Sequence, residues 1–136
     1  MYLLDTNIVS ETAKDHGDTA AARFLRSVSP QYLYLSIITI EEVLFGIRVL
    51  VPGPKRTRLE RWFEGNIMRT FSDRVFEVDF RITDACATKL ASARRKGKNP
   101  SFADALIAAT ASVHGLSVVT LNRKDFAPLD VPLVDL

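Results

Sequence analysis

Residues 101–122 read SFADALIAATASVHGLSVVTLN. Within this stretch ADALIAATA, at 103–111, is apolar or small nearly all the way round a helical wheel. A helix over 102–114 is therefore expected to lie inside the protein rather than on its surface. Gly115 is the residue type that most often follows a helix C-terminus. SVVT, at 117–120, then reads as a short strand giving way to polar residues. A buried helix that feeds a short apolar strand is a building unit of α/β folds with parallel sheets.

The alternation continues in both directions. Further strands are expected at 2–4, 32–35 and 75–78, with an edge strand at 133–134. Helices are expected from Ile8 and over 19–28, 38–50, 55–71 and 82–95, the fourth of these from a stripe of Leu59, Trp62, Phe63 and Ile67. That stripe suits a core face, a dimer contact or a partner's groove. DHGD at 15–18, VPGP at 51–54 and KGKNP at 96–100 punctuate the pattern. The fold class is α/β, with a central, mainly parallel sheet and helices on both of its faces. A length of 136 residues, 47% of them hydrophobic, fits one domain over 1–136 with a substantial core.

Several classes are not expected. No apolar run reaches the roughly 18 residues of a membrane span. Asp5 and Glu11 fall where a secretion signal would be apolar. A single cysteine, Cys86 in TDACATKLA, excludes an intrachain disulfide and reads as a buried helix face. A reducing, cytoplasmic setting is expected. The net charge of +2 does not by itself imply nucleic acid. Its distribution says more. Six basic residues face two acids over 43–70, and six face Asp84 alone over 81–98. Basic flanks around an acidic centre suit a phosphate-rich substrate, although either cluster alone is equally a solvated helix face.

The acids of that centre are Asp5, Glu42, Asp104 and Asp125, far apart in sequence but each at an element boundary. Each has an ordinary structural reading. Asp5 can cap the next helix. Thr39 to Glu42 has capping-box spacing, Ser101 to Asp104 repeats it, and Asn122 to Asp125 can cap a short turn. On the helix wheel Ile40, Val43, Leu44 and Ile47 form one apolar stripe, with Thr39, Glu42 and Gly46 roughly opposite. A bare Gly46 one turn after Glu42 leaves room for an approach to that carboxylate, or else permits close helix packing. Glu41 points elsewhere and is expected at the surface. Asp104 opens an apolar helix, where an acid is tolerated only if the helix N-terminus, a partner or a cation neutralises it.

In a parallel sheet the chain ends after Leu4 and Val119 can lie side by side, and the starts of the Glu42 and Asp104 helices can face the same crevice. Two carboxylates about 5 Å apart repel by roughly 3 kcal/mol at an effective dielectric near 20. A divalent cation relieves this. His16 and His114 are isolated, so nothing favours zinc, and an all-oxygen donor set favours Mg²⁺ or Mn²⁺. Such ions promote attack of water on a phosphodiester. The chain has no G-x-x-x-x-G-K-[ST] phosphate loop and no G-x-S-x-G elbow. Asn7 stands where a D-x-D phosphatase would have its second acid. Two other classes remain open: a non-catalytic RNA-binding or protein-interaction module whose acids only cap, and a metal-dependent DNase or flap-type nuclease.

Four passages, LLDTNIVSE at 3–11, LSIITIEEVLFGI at 35–47, the stretch at 101–122 and RKDF at 123–126, occur in this order over nearly the whole chain. Together they resemble the PIN-domain ribonucleases, specifically the VapC toxins of VapBC toxin–antitoxin pairs near their FitB-like branch. The resemblance implies a three-layer α/β/α domain and a Mg²⁺-dependent endoribonuclease, with Mn²⁺ as a substitute. It also implies RNA as substrate, a small VapB-like antitoxin as partner and a homodimer. In that reading Asp5, Glu42, Asp104 and Asp125 form the catalytic acids. Asp5 and Asp104 bind metal, and Glu42 and Asp125 do so directly or through water. Thr6 and Asn7 orient the first acid or a water, and Thr39 and Asn122 support the site. Either Asn122 or Asp125 completes the fourth position.

Overall fold

A computed structural model describes residues 1–14 and 17–136. Four strands, β1 (Tyr2–Leu4), β2 (Leu33–Ser36), β3 (Val75–Phe76) and β4 (Ser117–Val119), form one sheet in the order β3-β2-β1-β4. Every pairing is parallel: Tyr2 sits opposite Leu33 and Ser117, and Leu35 opposite Val75. Parallel neighbours cannot be joined by hairpins, so the chain crosses between them through helices. These are α1 (Thr6–Glu11), α2 (Ala20–Ser27), α3 (Ile37–Arg48), α4 (Pro54–Trp62), α5 (Arg69–Phe71), α6 (Phe80–Arg95) and α7 (Phe102–His114), and the short α8 (Arg123–Phe126) follows the last strand.

The layering follows from adjacent residues on single strands. Successive side chains of a strand point to opposite faces. Leu3 and Val118 accordingly join one buried cluster, with Ile82 and Cys86 of α6 and Ile107 of α7. Leu4 and Val119 join another, with Ile8, Ile40, Val43 and Phe63. Both faces are covered, which is why successive residues Leu3-Leu4 and Val118-Val119 are apolar instead of alternating. The three-layer α/β/α fold is thus written into the dipeptides Leu3-Leu4 and Val118-Val119.

Local chemistry sets the helix ends. Ser101 Oγ accepts from the Asp104 amide at 3.0 Å and starts α7. Gly115 ends it in the left-handed region at φ 69°, where a residue without Cβ is least strained. Asp79 Oδ1 accepts from the Ile82 amide to start α6. Pro54 opens α4, a position where its missing N–H costs nothing.

Several boundaries differ from the sequence expectation. α1 begins at Thr6 rather than Ile8, because Asp5 caps it directly. Thr39 to Glu42 is not a capping box: α3 is capped by Ser36, whose Oγ accepts from the Ile38 amide, so Thr39 is already inside the helix. Asn122 precedes α8 but makes no side-chain cap. The helix expected over 55–71 contains a π-helical turn at Phe63–Met68. Phe63, Ile67 and Phe71 are all buried and fall four apart. An α-helix would carry that stripe round its axis by about 40° per step, and the wide turn keeps it in one buried cluster with Leu4, Leu33 and Val119. At 133–134 there is a single parallel bridge, Leu133 to Val118, supported by the Val134 amide donating to Val118 O.

Cys86 is buried on α6 as expected, and burial pushes its thiol up, away from the reactive thiolate. His114 closes α7 stacked on Phe76, ring centroids 3.8 Å apart. His16 and part of the expected break at 15–18 lie outside the described residues. Among the described residues no helix is long and apolar enough to cross a membrane.

Candidate active site

Asp5 leaves the C-terminal end of β1 and enters α1, the position at which parallel sheets present ligands. It is only 5% exposed, and its backbone amide is tied to Val119 O of the neighbouring strand at 2.9 Å. Oδ1 accepts from the Thr6 amide at 2.8 Å. Oδ2 accepts from Thr120 Oγ1 at 2.7 Å and from Asn7 Nδ2 at 3.1 Å. Asn7 Oδ1 in turn accepts from the Leu121 amide, and Thr120 Oγ1 from the Asn122 amide. A closed network therefore locks the ends of β1 and β4 together around one carboxylate.

The second acid comes from α3. Glu42 Oε1 accepts from the Thr6 hydroxyl at 2.6 Å, so consecutive residues 5 and 6 hold two acids in register. The third, Asp104, sits in the first turn of α7, where the helix dipole favours an anion. Burial outweighs that effect. Desolvation, then the charge of Asp5, pushes the Asp104 carboxyl up to about 6, with Asp125 and Glu42 adding to the rise and the Ser101 hydrogen bond opposing it. Asp5 is also raised, chiefly by burial, with smaller contributions from Glu42 and Asp125 and opposition from the Thr120 and Thr6 donors.

All four expected acids line one open pocket of about 380 Å³, together with Thr6, Asn7 and Asn122. Asp125 and Asn122 are both exposed on its rim. Thr39 does not belong to this lining. It is fully buried, and its hydroxyl has no hydrogen-bond partner. The wheel put it opposite the apolar stripe, but α3 packs against α1 and α4 as well as α7, so both of its sides are covered. Gly46 does leave open space: a Cβ there meets nothing within 4 Å, which removes close helix packing as its reason. Glu41 is at the surface as expected.

Three contributors were not legible as site residues. Thr120 is the buried donor to Asp5. Its only signal was its position after β4, matching that of Asp5 after β1. Glu11 and Lys14, paired at 2.9 Å, also line the pocket and bring a cation to its edge.

The donor set is oxygen throughout, which suits a hard divalent ion. Two carboxyls raised chiefly by burial, and further by neighbouring acids, also fit a site that a cation would neutralise. Among the described residues no three acid, imidazole or thiol side chains are gathered tightly enough to hold an ion as they stand. The fit is therefore one of donor chemistry and shared pocket.

Comparison with known proteins bears on the family and the fold. Residues 2–131 match the family model of the PIN domain. The chain is 35% identical over 133 residues to the VapC ribonuclease Y4jK of Sinorhizobium fredii, covering 96% of this chain and 95% of that protein. It is 34% identical over 131 residues to the toxin FitB of Neisseria gonorrhoeae, covering 96% and 94%. Its fold is similar to the crystal structure of FitAcB from Neisseria gonorrhoeae, with a TM-score of 0.91 at 32% identity over 99% of this chain and 97% of that one. DNA-bound VapBC from Salmonella typhimurium is similar at a TM-score of 0.81 and 25% identity, covering 98% and 96%.

Proposed function

Because this chain belongs to the PIN-domain family, with VapC and FitB toxins as its relatives, we propose that it is a divalent-metal-dependent endoribonuclease held in check by a small antitoxin. The observation behind this reading is the single pocket lined by Asp5, Glu42, Asp104 and Asp125. Acids that only capped helices would have no reason to meet there. The Thr6 and Thr120 hydroxyls, spent on Glu42 and Asp5, hold both of these acids at that pocket.

Asp5 and Asp104 would hold Mg²⁺ or Mn²⁺, since theirs are the carboxyls whose burial leaves charge least compensated. Glu42 and Asp125 would assist directly or through water. The ion, when bound, supplies polarisation of the phosphate and easier ionisation of water. The chain supplies the rest. Thr6, Asn7 and Thr120 fix the Asp5 oxygens, and Lys14 offers a cation to the RNA backbone at the pocket edge. In the hydrolysis, a water oxygen bonds to phosphorus and the bond to the 3′ oxygen breaks. The water's proton leaves through a pocket carboxylate to that oxygen, giving 5′-phosphate and 3′-hydroxyl ends.

The antitoxin is inferred from relatives solved as FitAcB and DNA-bound VapBC. A homodimer is proposed through the outer face of α3, where Phe45 and Val49 are 63% and 61% exposed. Incubating purified protein with RNA and Mn²⁺, beside the Asp5→Asn variant, tests the catalytic reading. Metal-dependent cleavage lost in the variant is expected. Equal cleavage by both proteins would overturn it.

A further inference from the structure

Beside the acidic pocket lies a larger groove of about 650 Å³ between the end of α1, α3 and α4. We infer that this groove binds a nucleobase of single-stranded RNA next to the scissile phosphate, and so selects where the chain is cut. The inference rests on the nuclease reading and goes beyond it by naming what sets the cutting site.

Four observations support a base as occupant. First, the groove runs into the acidic pocket: Ser10, Lys14 and Glu42 line both. A nucleotide whose phosphate sits at the acids has its neighbour's base within reach of the groove. Second, the walls are apolar and aromatic, from Val43, Ile47, Leu59 and Trp62. That matches the flat faces that unstacked bases seek in single-stranded RNA recognition. Third, the rim is cationic. Lys55 and Arg58 line it, and among the described residues neither forms an ion pair. Cations left unspent beside an apolar slot suit a polyanion that inserts bases. Fourth, Trp62 Nε1 is shielded and has no acceptor in the protein. The ring packs against the core cluster of Val43, Ile47 and Phe63, so its N–H is a fixed donor left for an acceptor that the occupant brings.

Gly46 in the groove wall makes the inference testable. A Cβ there meets nothing within 4 Å, and glycine is the least helix-favouring residue after proline, so Gly46→Leu fills the groove without harming α3. Parent, Gly46→Ala and Gly46→Leu are compared with Mn²⁺ on a fluorescently labelled single-stranded RNA and on bis(p-nitrophenyl) phosphate, which carries no base. Gly46→Leu is expected to raise KM for RNA by about tenfold, the scale of one lost stacking contact. It is also expected to scatter the cleavage positions and to lower RNA cleavage far more than bis(p-nitrophenyl) phosphate hydrolysis, with Gly46→Ala close to parent on both. Unchanged KM and unchanged cleavage positions in Gly46→Leu would overturn the inference. So would retained RNA selectivity with lost capture of the co-expressed antitoxin, which would assign the groove to protein. If the parent hydrolyses neither substrate, the nuclease reading fails and this inference falls with it.

Discussion

Thr120 donates from its buried hydroxyl to Asp5 Oδ2 across 2.7 Å, joining residues 115 positions apart in the chain. The bond favours the ionised carboxylate against the desolvation that raises it. Thr120→Val keeps the shape and removes the donor, so Asp5 should hold its proton to higher pH. Mn²⁺ affinity is expected to fall about tenfold near neutral pH, as for other partners of metal ligands, with part of the loss recovered at higher pH. Thr120→Ser should bind like the parent. Calorimetric titration at two pH values checks this, and a pH-independent loss would mean that Thr120 acts only by packing.

Asp104 gives a pH dependence with a definite sign. Its carboxyl is raised from 3.8 to about 6 in the folded protein. The folded state therefore binds more protons than the unfolded chain between those values, and stability contributed by this group falls as pH rises through that window. Without divalent metal, the melting temperature of Asp104→Asn should gain on the parent between pH 4.5 and pH 7.5. Adding Mn²⁺ at pH 7.5 should stabilise the parent and not the variant. Parallel melting curves for the two proteins across this range, with chelator present, would contradict the assignment.

Much of this was legible in the sequence, for reasons tied to range. Leu3-Leu4 and Val118-Val119 announce strands buried on both faces because a strand's faces alternate residue by residue. Asp104 stands out because its helix is otherwise apolar. The Thr120–Asp5 bond was hidden because the expected neighbouring of the two strand ends does not say which side chain after Val119 turns towards Asp5. Thr39 was misplaced for a related reason: its wheel position was sound, but the burial of that side depends on α1 and α4 packing against α3. The capping-box spacing from Thr39 to Glu42 competed with Ser36, three residues earlier, and spacing alone does not rank two hydroxyls.

Asp125 and Asn122 share the pocket rim, yet their side chains should differ in weight. The charge of Asp125 is felt at both Asp5 and Asp104. Asn122 is engaged through its backbone amide, which donates to Thr120, and its side chain makes no cap. Asp125→Asn should weaken Mn²⁺ binding by about tenfold or more, and Asn122→Ala by less than about threefold. Titration of both variants decides between them, and the reverse order would make Asn122 the fourth site residue.

The outer face of α3 carries a charge pattern suited to pairing with itself. Glu41 and Arg48 flank the apolar pair Leu44 and Phe45 around one surface pocket. Neither charge forms an ion pair among the described residues. In a two-fold interface each patch meets its own copy. If the axis passes between Leu44 and Phe45 with the two helices antiparallel, Glu41 of each copy meets Arg48 of the other. Phe45→Glu should then convert a dimer to a monomer at micromolar concentration in analytical ultracentrifugation. Glu41→Arg alone should weaken the dimer by setting Arg against Arg. Combining it with Arg48→Glu should restore association, because the pairing is merely reversed. A double variant no tighter than Glu41→Arg alone would place the dimer contact, or its charge pairing, elsewhere on the molecule.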